Sequence, residues 1–199
     1  MKNIKHLSLA TLVLALAACG GGGGAGTAQT PDGEKINLEL SDKGQIGGKT
    51  QEGIFVGQNN NASFYGAWQK DDKSLHELRY QGTKTEILPR GSATYFGDSY
   101  WISGWTGNVA NGGKTRLDVD FDNKTIEGSI DYTLAEGRRD ITLHKTNLSG
   151  AEFSGKASVL LNDSGTYKGA LFGKNAEEAA GLVEFSNNSS LNTSFGGKR

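Results

Sequence analysis

Apolar and polar residues alternate in short segments through most of the chain beyond residue 90. The clearest segment is Thr115–Asp122, in which Leu117, Val119 and Phe121 alternate with charged side chains. Strict alternation is typical of a β-strand with one buried side and one solvent-facing side. We therefore expect the apolar side chains in a core and the charged ones on the outside.

The same pattern predicts nine strands within residues 91–199, separated by turns rich in Gly, Asn and Asp. They are Ser92–Gly97, Tyr100–Thr106, Thr115–Asp122, Thr125–Leu134, Asp140–Thr146, Glu152–Leu161, Thr166–Phe172, Leu182–Phe185 and Leu191–Phe195. Short turns, among them Asn111–Gly113, favour an antiparallel meander, and eight or nine such strands can close into a barrel. Because the outward positions are charged, we expect an all-β, soluble antiparallel barrel of about eight strands.

The pattern in residues 34–90 predicts a smaller N-terminal β element, which we call the handle. Its candidate strands are two short ones around Ile36–Leu40 and Ile54–Val56, followed by Ala62–Gln69 and Ser74–Gln81. The last two are separated by a few polar residues, which favours a hairpin.

The segment Gly165–Phe185 predicts an additional feature between two strands. Asn175 can cap a single helical turn, Ala176–Ala180, in which Glu178 stands at the capping-box position. Gly181 suits the end of that turn, since a left-handed residue is favoured there.

This segment resembles the end of the barrel in bacterial surface lipoproteins of the transferrin-binding protein B and complement factor H-binding protein type. The resembling residues are Gly169, Phe172–Gly173, Ala176–Glu178, Gly181 and Phe195–Arg199, and upstream Gly91–Tyr95, Asp120–Gly128 and Phe153–Ala157. The resemblance covers about residues 91–199. It implies a barrel with a small handle, and a receptor for a host protein at the surface of a Gram-negative bacterium.

The N-terminus has the pattern of a lipoprotein signal peptide. Residues 1–18 begin with two lysines, continue as an apolar run and end in Leu16–Ala18, directly before Cys19. Cys19, the single cysteine of the sequence, is therefore the expected lipidation site. Residues 19–33, rich in glycine, are expected to form a flexible tether to an outer membrane.

The composition makes several classes of function and partner unexpected for this chain. The sequence has 21 basic and 22 acidic residues, and the balance is slightly more acidic without Lys2 and Lys5, so nucleic acid is not an expected partner. With no cysteine other than Cys19, neither a disulfide nor a thiolate metal site is expected. No spacing typical of a hydrolase, a metalloenzyme or a calcium loop is present, so we expect neither catalysis nor a resident cofactor.

Aromatic residues are the best candidates for binding. Tyr95, Trp101 and Trp105 lie within eleven residues, and Trp68 lies upstream. Each is expected either in the core or, if exposed, as an anchor for a protein partner. His76 is the candidate axial ligand if the handle binds haem.

Three functions remain open from the sequence. The first is a surface lipoprotein that binds a host serum protein, either a complement regulator such as factor H or an iron protein of the transferrin type, for immune evasion or nutrient capture. The single barrel favours the complement regulator. The second is a haem-capture lipoprotein that uses His76, and the third is a structural lipoprotein without a ligand.

Overall fold

The computed structural model describes residues 24–160 and 164–199, and the regular secondary structure of this part of the chain is almost entirely β-strand. It contains two short 3-10 turns, Leu134–Glu136 and Ser189–Leu191. Within it there is no helix with the length and apolar character needed to cross a membrane. Its strands are β1 (Thr27–Gln29), β2 (Lys35–Asn37), β3 (Gly44–Lys49), β4 (Gly53–Asn59), β5 (Ser63–Lys70), β6 (His76–Gly82), β7 (Ser92–Ile102), β8 (Val109–Asp120), β9 (Thr125–Asp131), β10 (Ile141–Ser149), β11 (Glu152–Val159), β12 (Ser164–Phe172), β13 (Glu178–Glu184) and β14 (Thr193–Lys198).

Strands β7 to β14 form a closed antiparallel barrel of eight strands. It closes where β14 pairs with β7, with Thr193 opposite Trp101 and Phe195 opposite Ser99. The predicted all-β fold with one antiparallel barrel of about eight strands is thus confirmed.

Consecutive connections of such a meander alternate between the two ends of the barrel. We call one end the mouth, formed by residues 103–108, 132–140 and 185–192. The opposite end, called the base, is formed by residues 121–124, 150–151 and 173–177.

Two of the nine predicted strands are a single strand in the structure. The segments predicted as Ser92–Gly97 and Tyr100–Thr106 form the continuous β7, which ends at Ile102. The chain passes Gly97 without turning because β8 pairs with both halves of the strand.

The predicted turn at Asn111–Gly113 is wrong, because these residues lie inside β8. Gly97 is opposite Thr115, whereas Ser99 is opposite Gly112, so β8 carries one extra residue at this point. Gly112 and Gly113 have φ values of 148° and 47°. A glycine pair with positive φ therefore forms a β-bulge here and not a turn.

Apolar side chains fill the inside of the barrel. Leu117, Val119 and Phe121 are buried there, as their alternation predicts, while Asp118 and Asp120 between them are partly exposed. Other members of this core are Tyr95, Ile126, Ile130, Ile141, Leu143, Phe153, Tyr167, Leu171, Val183, Phe185 and Phe195.

The handle is a four-stranded antiparallel sheet in the order β3-β4-β5-β6, accompanied by the two-stranded β1–β2 sheet. Ala28 of β1 and Leu38, just after β2, pack against Phe64 of β5. The structure therefore differs from the predicted flexible tether, which extends to residue 33. The small apolar side chains of this segment find a buried site on the handle, and the folded chain already includes Gly24.

The predicted helical turn at Ala176–Ala180 is wrong. Gly173–Glu177 forms a tight turn in which Ala176 has a φ of 58°, and β13 begins at Glu178. The strand register continues without interruption from Gly169 opposite Gly181 to Phe172 opposite Glu178. Pairing with β12 on one side and β14 on the other thus outweighs the local capping pattern.

The handle packs its inner face on the outside of the barrel wall. Tyr65 of β5 meets Tyr100 of β7 edge to face, with ring centroids 5.9 Å apart. Tyr80 of β6 meets Phe172 of β12 in the same way at 6.4 Å. Gly196 lies directly under the Tyr65 ring, where a β-carbon would come within 2.4 Å of a ring carbon. Aromatic edge-to-face packing gives this interface a defined geometry.

Glu178 is the polar centre of this interface. Its side chain is buried, with 3% of its surface exposed. The carboxylate accepts hydrogen bonds from the backbone N–H of Asn61 (2.8 Å), the N–H of Ala62 (3.0 Å) and the Oγ of Ser63 (2.7 Å). Three donors from the turn before β5 therefore converge on one carboxylate of β13, which compensates for its burial.

We predict that Glu178→Ala lowers the free energy of unfolding by about 3 kcal/mol, because two N–H groups and a hydroxyl lose their buried acceptor. Urea denaturation of the chain without its signal peptide measures the change. The neighbouring Glu177→Ala is the matched control, since the Glu177 carboxylate bonds only within its own turn, to Asn175. A Glu178 variant as stable as this control would contradict the assignment.

Candidate functional site

The mouth of the barrel holds a cleft of about 620 Å³. Three of its connections contribute to the walls, together with the ends of the neighbouring strands. Residues from these connections that line the cleft include Ser103, Trp105, Leu134, Arg138, Asn188 and Ser190. Loops at one end of a rigid barrel are common places for binding.

Trp101 forms the floor of the cleft. It lies near the end of β7 and is 3% exposed. The Tyr132 ring meets it edge to face, with centroids 5.1 Å apart and an interplanar angle of 88°. The guanidinium carbon of Arg138 lies 4.9 Å from the centroids of both rings. Arg138 is thus held by two aromatic rings through cation–π contacts.

The guanidinium of Arg138 is only partly satisfied. Its Nη2 donates to the carbonyl of Leu191 (2.8 Å) and to Oγ1 of Thr193 (3.1 Å). Its Nε and Nη1 are buried and have no hydrogen-bond partner among the residues that the structure describes. Burial lowers the pKa of Arg138, against a smaller opposite effect of Tyr132 and Glu136. The mouth therefore contains a cation whose charge is held between two rings and by two hydrogen bonds of Nη2.

Glu136 is not that partner, because its carboxylate is engaged elsewhere. It accepts hydrogen bonds from the N–H of Gly113 (2.7 Å) and from Oγ1 of Thr133 (2.8 Å). Burial alone would raise the pKa of Glu136, but the hydrogen bonds from Thr133 and Gly113 lower it overall. Glu136 therefore connects the β9–β10 loop to the bulge of β8.

Trp105 projects from the β7–β8 loop with 95% of its side chain exposed. The handle supports this loop from behind. Gln69 donates its side-chain N–H to the carbonyl of Gly107, and the ammonium of Lys73 donates to the carbonyl of Thr106 at 2.9 Å. The exposed indole is thus carried on a backbone that is held at two points.

Two further apolar side chains are exposed beside Trp105. Leu134, in the β9–β10 loop, lines the cleft and is fully exposed. Leu160, directly after β11, is 77% exposed, and its carbonyl accepts a hydrogen bond from Arg139 (3.0 Å). We call Trp105, Leu134, Leu160 and the cleft around Arg138 the mouth surface.

The structure brings together two of the sequence-predicted binding residues, Trp101 and Trp105. Trp68 is buried in the handle, where its indole N–H donates to Oγ1 of Thr50 (3.0 Å). Tyr95 is buried in the barrel core, and its hydroxyl donates to the carbonyl of Ala176 (2.6 Å). Both hold the fold together and are not part of the mouth surface.

His76, the candidate haem ligand, begins β6 and pairs in register with Gln69. It is half-buried, and this burial lowers its pKa, so the imidazole is neutral near pH 7. Among the residues that the structure describes, no group of three or more His, Cys, Asp or Glu side chains is arranged to hold a metal ion. Cys19 lies outside the described residues.

Sequence reasoning missed Arg138, Leu134 and Leu160. The first two lie in the segment Leu134–Arg139, in which an apolar residue precedes a charged turn. An apolar residue in such a loop indicates a candidate binding residue and could have been found from the sequence. The position of Arg138 between two rings, however, depends on tertiary structure.

Comparison with known proteins identifies the family. Residues 56–199 match the family model described as the C-lobe and N-lobe β-barrels of transferrin-binding protein B. The chain belongs to this family. The match includes the whole barrel and the handle strands from β5 onward, so the predicted likeness to transferrin-binding protein B is confirmed.

Solved structures of this barrel type have the same fold. The haemoglobin receptor HpuA from Kingella denitrificans superposes with a TM-score of 0.70 at 22% identity, over 87% of this chain and 75% of the receptor. Its complex with human haemoglobin gives a TM-score of 0.65 at 21% identity over the same shares. Transferrin-binding protein B from serogroup B Neisseria meningitidis gives 0.67 at 22% identity, and the match spans 89% of this chain but 39% of that protein.

We predict that iodide quenches the fluorescence of Trp105 far more than that of the other two tryptophans. Trp68 and Trp101 are 4% and 3% exposed, whereas Trp105 is 95% exposed. In Trp105→Phe the quenchable emission should be lost and the remaining spectrum should move to shorter wavelength. Trp101→Phe is the control and should keep the quenchable component. Equal quenching in the two variants would contradict the assignment of Trp105 to the exposed surface.

Proposed function

We propose that this protein is a lipid-anchored outer-membrane receptor that binds a host iron protein through the mouth surface. The observation that carries the proposal is the exposure of Trp105 and Leu134 around a cleft that contains Arg138. A group of large exposed apolar side chains around one cleft is typical of a surface that another molecule covers.

The chemistry of the mouth surface suits a protein partner. Trp and Arg are enriched among residues that dominate binding energies, and here Trp105 and Arg138 line one cleft. Apolar anchors around a charged centre correspond to the core of a protein interface. The positive charge of Arg138 in the cleft favours a partner that presents an acidic side chain next to an apolar one.

The relatives support an iron protein as the partner class. HpuA is a haemoglobin receptor, and the other named relative is a transferrin-binding protein. Both share the barrel fold of this chain at identities near one fifth, which leaves the ligand of this chain to experiment. Complement factor H stays a prediction from the sequence, and we include it as a competing ligand.

The anchor is part of the proposal. Cys19 follows an apolar signal segment at the position where lipoprotein signal peptides are cleaved and acylated. A chain held at the outer membrane by acyl groups suits capture of a protein from the medium. Mass spectrometry of the chain purified from membranes tests the acylation at Cys19.

The binding test uses transferrin, haemoglobin and factor H as separate ligands in biolayer interferometry. We predict binding to one of the two iron proteins, with at least a tenfold weaker affinity in Trp105→Ala and Leu134→Ala because each removes an exposed apolar anchor, worth about 1.4 kcal/mol or more. Phe96→Ala is the matched control. Phe96 is also an exposed aromatic residue of β7, 61% exposed, but it lies opposite Arg116 and away from the mouth.

Several outcomes would contradict this proposal. Binding to factor H alone would replace the iron protein as partner. An affinity loss in Phe96→Ala but not in Trp105→Ala would move the site away from the mouth. If none of the three proteins binds, titration with free haem in wild type and His76→Ala becomes the decisive experiment, and a Soret band lost in the variant would replace protein capture with haem capture.

A further inference from the structure

The N-terminal end of the described chain is fixed next to the base of the barrel. The carbonyl of Gly24 accepts a hydrogen bond from Oγ1 of Thr83 (2.7 Å), and the carbonyl of Ala25 accepts one from Gln81 (2.8 Å). Thr83 in turn accepts a hydrogen bond from the N–H of Gly173 in the β12–β13 turn (3.0 Å). The point where the chain leaves the fold toward Cys19 is therefore at the base.

The length of the remaining chain limits how far Cys19 can lie from this point. Cys19 precedes Gly24 by five residues. At no more than 3.6 Å per residue, any conformation spans at most about 18 Å. Strand β7 has 11 residues, so it is about 35 Å long at 3.3 Å per residue. Because barrel strands tilt by about 40°, the mouth lies about 27 Å above the base, beyond the reach of Cys19.

The base carries an exposed apolar surface close to Gly24. A cleft of about 680 Å³ lies between the segment Thr83–Pro89 and the turn Gly173–Asn175. Ile87 in its wall is 81% exposed. Leu88 and Pro89 continue this apolar surface, and Leu88 also packs against the barrel core.

Charged groups of both signs lie around this surface. Lys174 and Arg90 are exposed, and Lys84 pairs with Glu152 on the barrel wall. Glu86 is the acidic residue that lines the cleft. An exposed apolar side chain with long basic ones nearby suits a surface that contacts lipid headgroups, with the apolar group inserted at the interface.

From these observations we infer that the base, through Ile87 and the cleft beside it, rests on the lipid surface that holds the acyl chains of Cys19. The mouth surface then faces away from the membrane, toward a partner in the medium. This inference rests on the lipidation in the proposed function, and it adds an orientation and a second contact surface. It also replaces the predicted long flexible tether with a short one.

The test uses the lipidated full chain in phosphatidylethanolamine–phosphatidylglycerol vesicles that carry a headgroup-attached quencher. Two variants, Glu86→Cys and Ala135→Cys, are each labelled with a small fluorophore, since acylated Cys19 does not react with the dye. We expect strong quenching at position 86 in the base and little at position 135 in the mouth. Equal quenching at the two positions, or stronger quenching at position 135, would overturn the orientation.

A second variant tests the insertion of Ile87. Adding Ile87→Asp to the labelled Glu86→Cys chain should reduce the quenching, because a carboxylate does not enter the lipid interface. Unchanged quenching would overturn the proposed contact between Ile87 and the lipid. Circular dichroism confirms that each variant is folded.

Further measurements distinguish a failure of this orientation from a failure of the proposed function. Mass spectrometry of the same preparation shows whether Cys19 is acylated, and flotation with the vesicles shows whether the chain is anchored. Binding of the iron protein is measured independently with the chain in solution. An acylated, anchored chain without preferential quenching at position 86 would therefore overturn the inference alone.

Discussion

The buried carboxylate of Glu178 determines how the two parts of this protein fit together. An ionised group away from water is stable only where several donors converge on it. Here the donors are two backbone N–H groups and a hydroxyl from the residues that lead into β5. These bonds fix the start of β5 on β13, and a shift by one residue would move Tyr65 away from Gly196 and Tyr100.

The position of β5 on β13 also affects the mouth, which lies at the other end of β5. Because β5 is positioned by Glu178 at its beginning, its end brings Gln69 and the following Lys73 to the β7–β8 loop. Their hydrogen bonds to loop carbonyls restrict the backbone that carries Trp105. A preorganised anchor loses less conformational entropy on binding than a mobile one, so the handle contributes to the binding surface without being part of it.

The strand pattern made the barrel predictable, because alternation as clear as Leu117, Val119 and Phe121 leaves little choice of buried side. Features that depend on neighbouring strands were not predictable. Glu178 has the spacing of a helix cap, and only the pairing of β13 with both neighbours makes it a buried acceptor. Gly112 and Gly113 have the composition of a turn, yet they form a bulge because β7 continues opposite them.

The aromatic residues also show that the sequence alone does not reveal which side chains are exposed at the site. Trp68 and Trp105 are equally suitable anchors by residue type, but other handle residues cover the first while nothing in the described chain covers the second. Burial is thus a property of what packs on each strand, which alternation alone does not reveal.

Arg138 affects both the stability of the mouth and its ability to bind a charged partner. A guanidinium with two unpaired buried donors destabilises a fold, and here the two rings and the bonds to β14 offset that effect. A partner that brings a carboxylate into the cleft pairs it with the positive charge of Arg138, and such a charge pair contributes to affinity. The apolar side chains at the rim exclude water around this contact and strengthen it further. A ligand that fills the cleft without a carboxylate would forgo this contribution, which makes Arg138 a source of selectivity as well as of affinity.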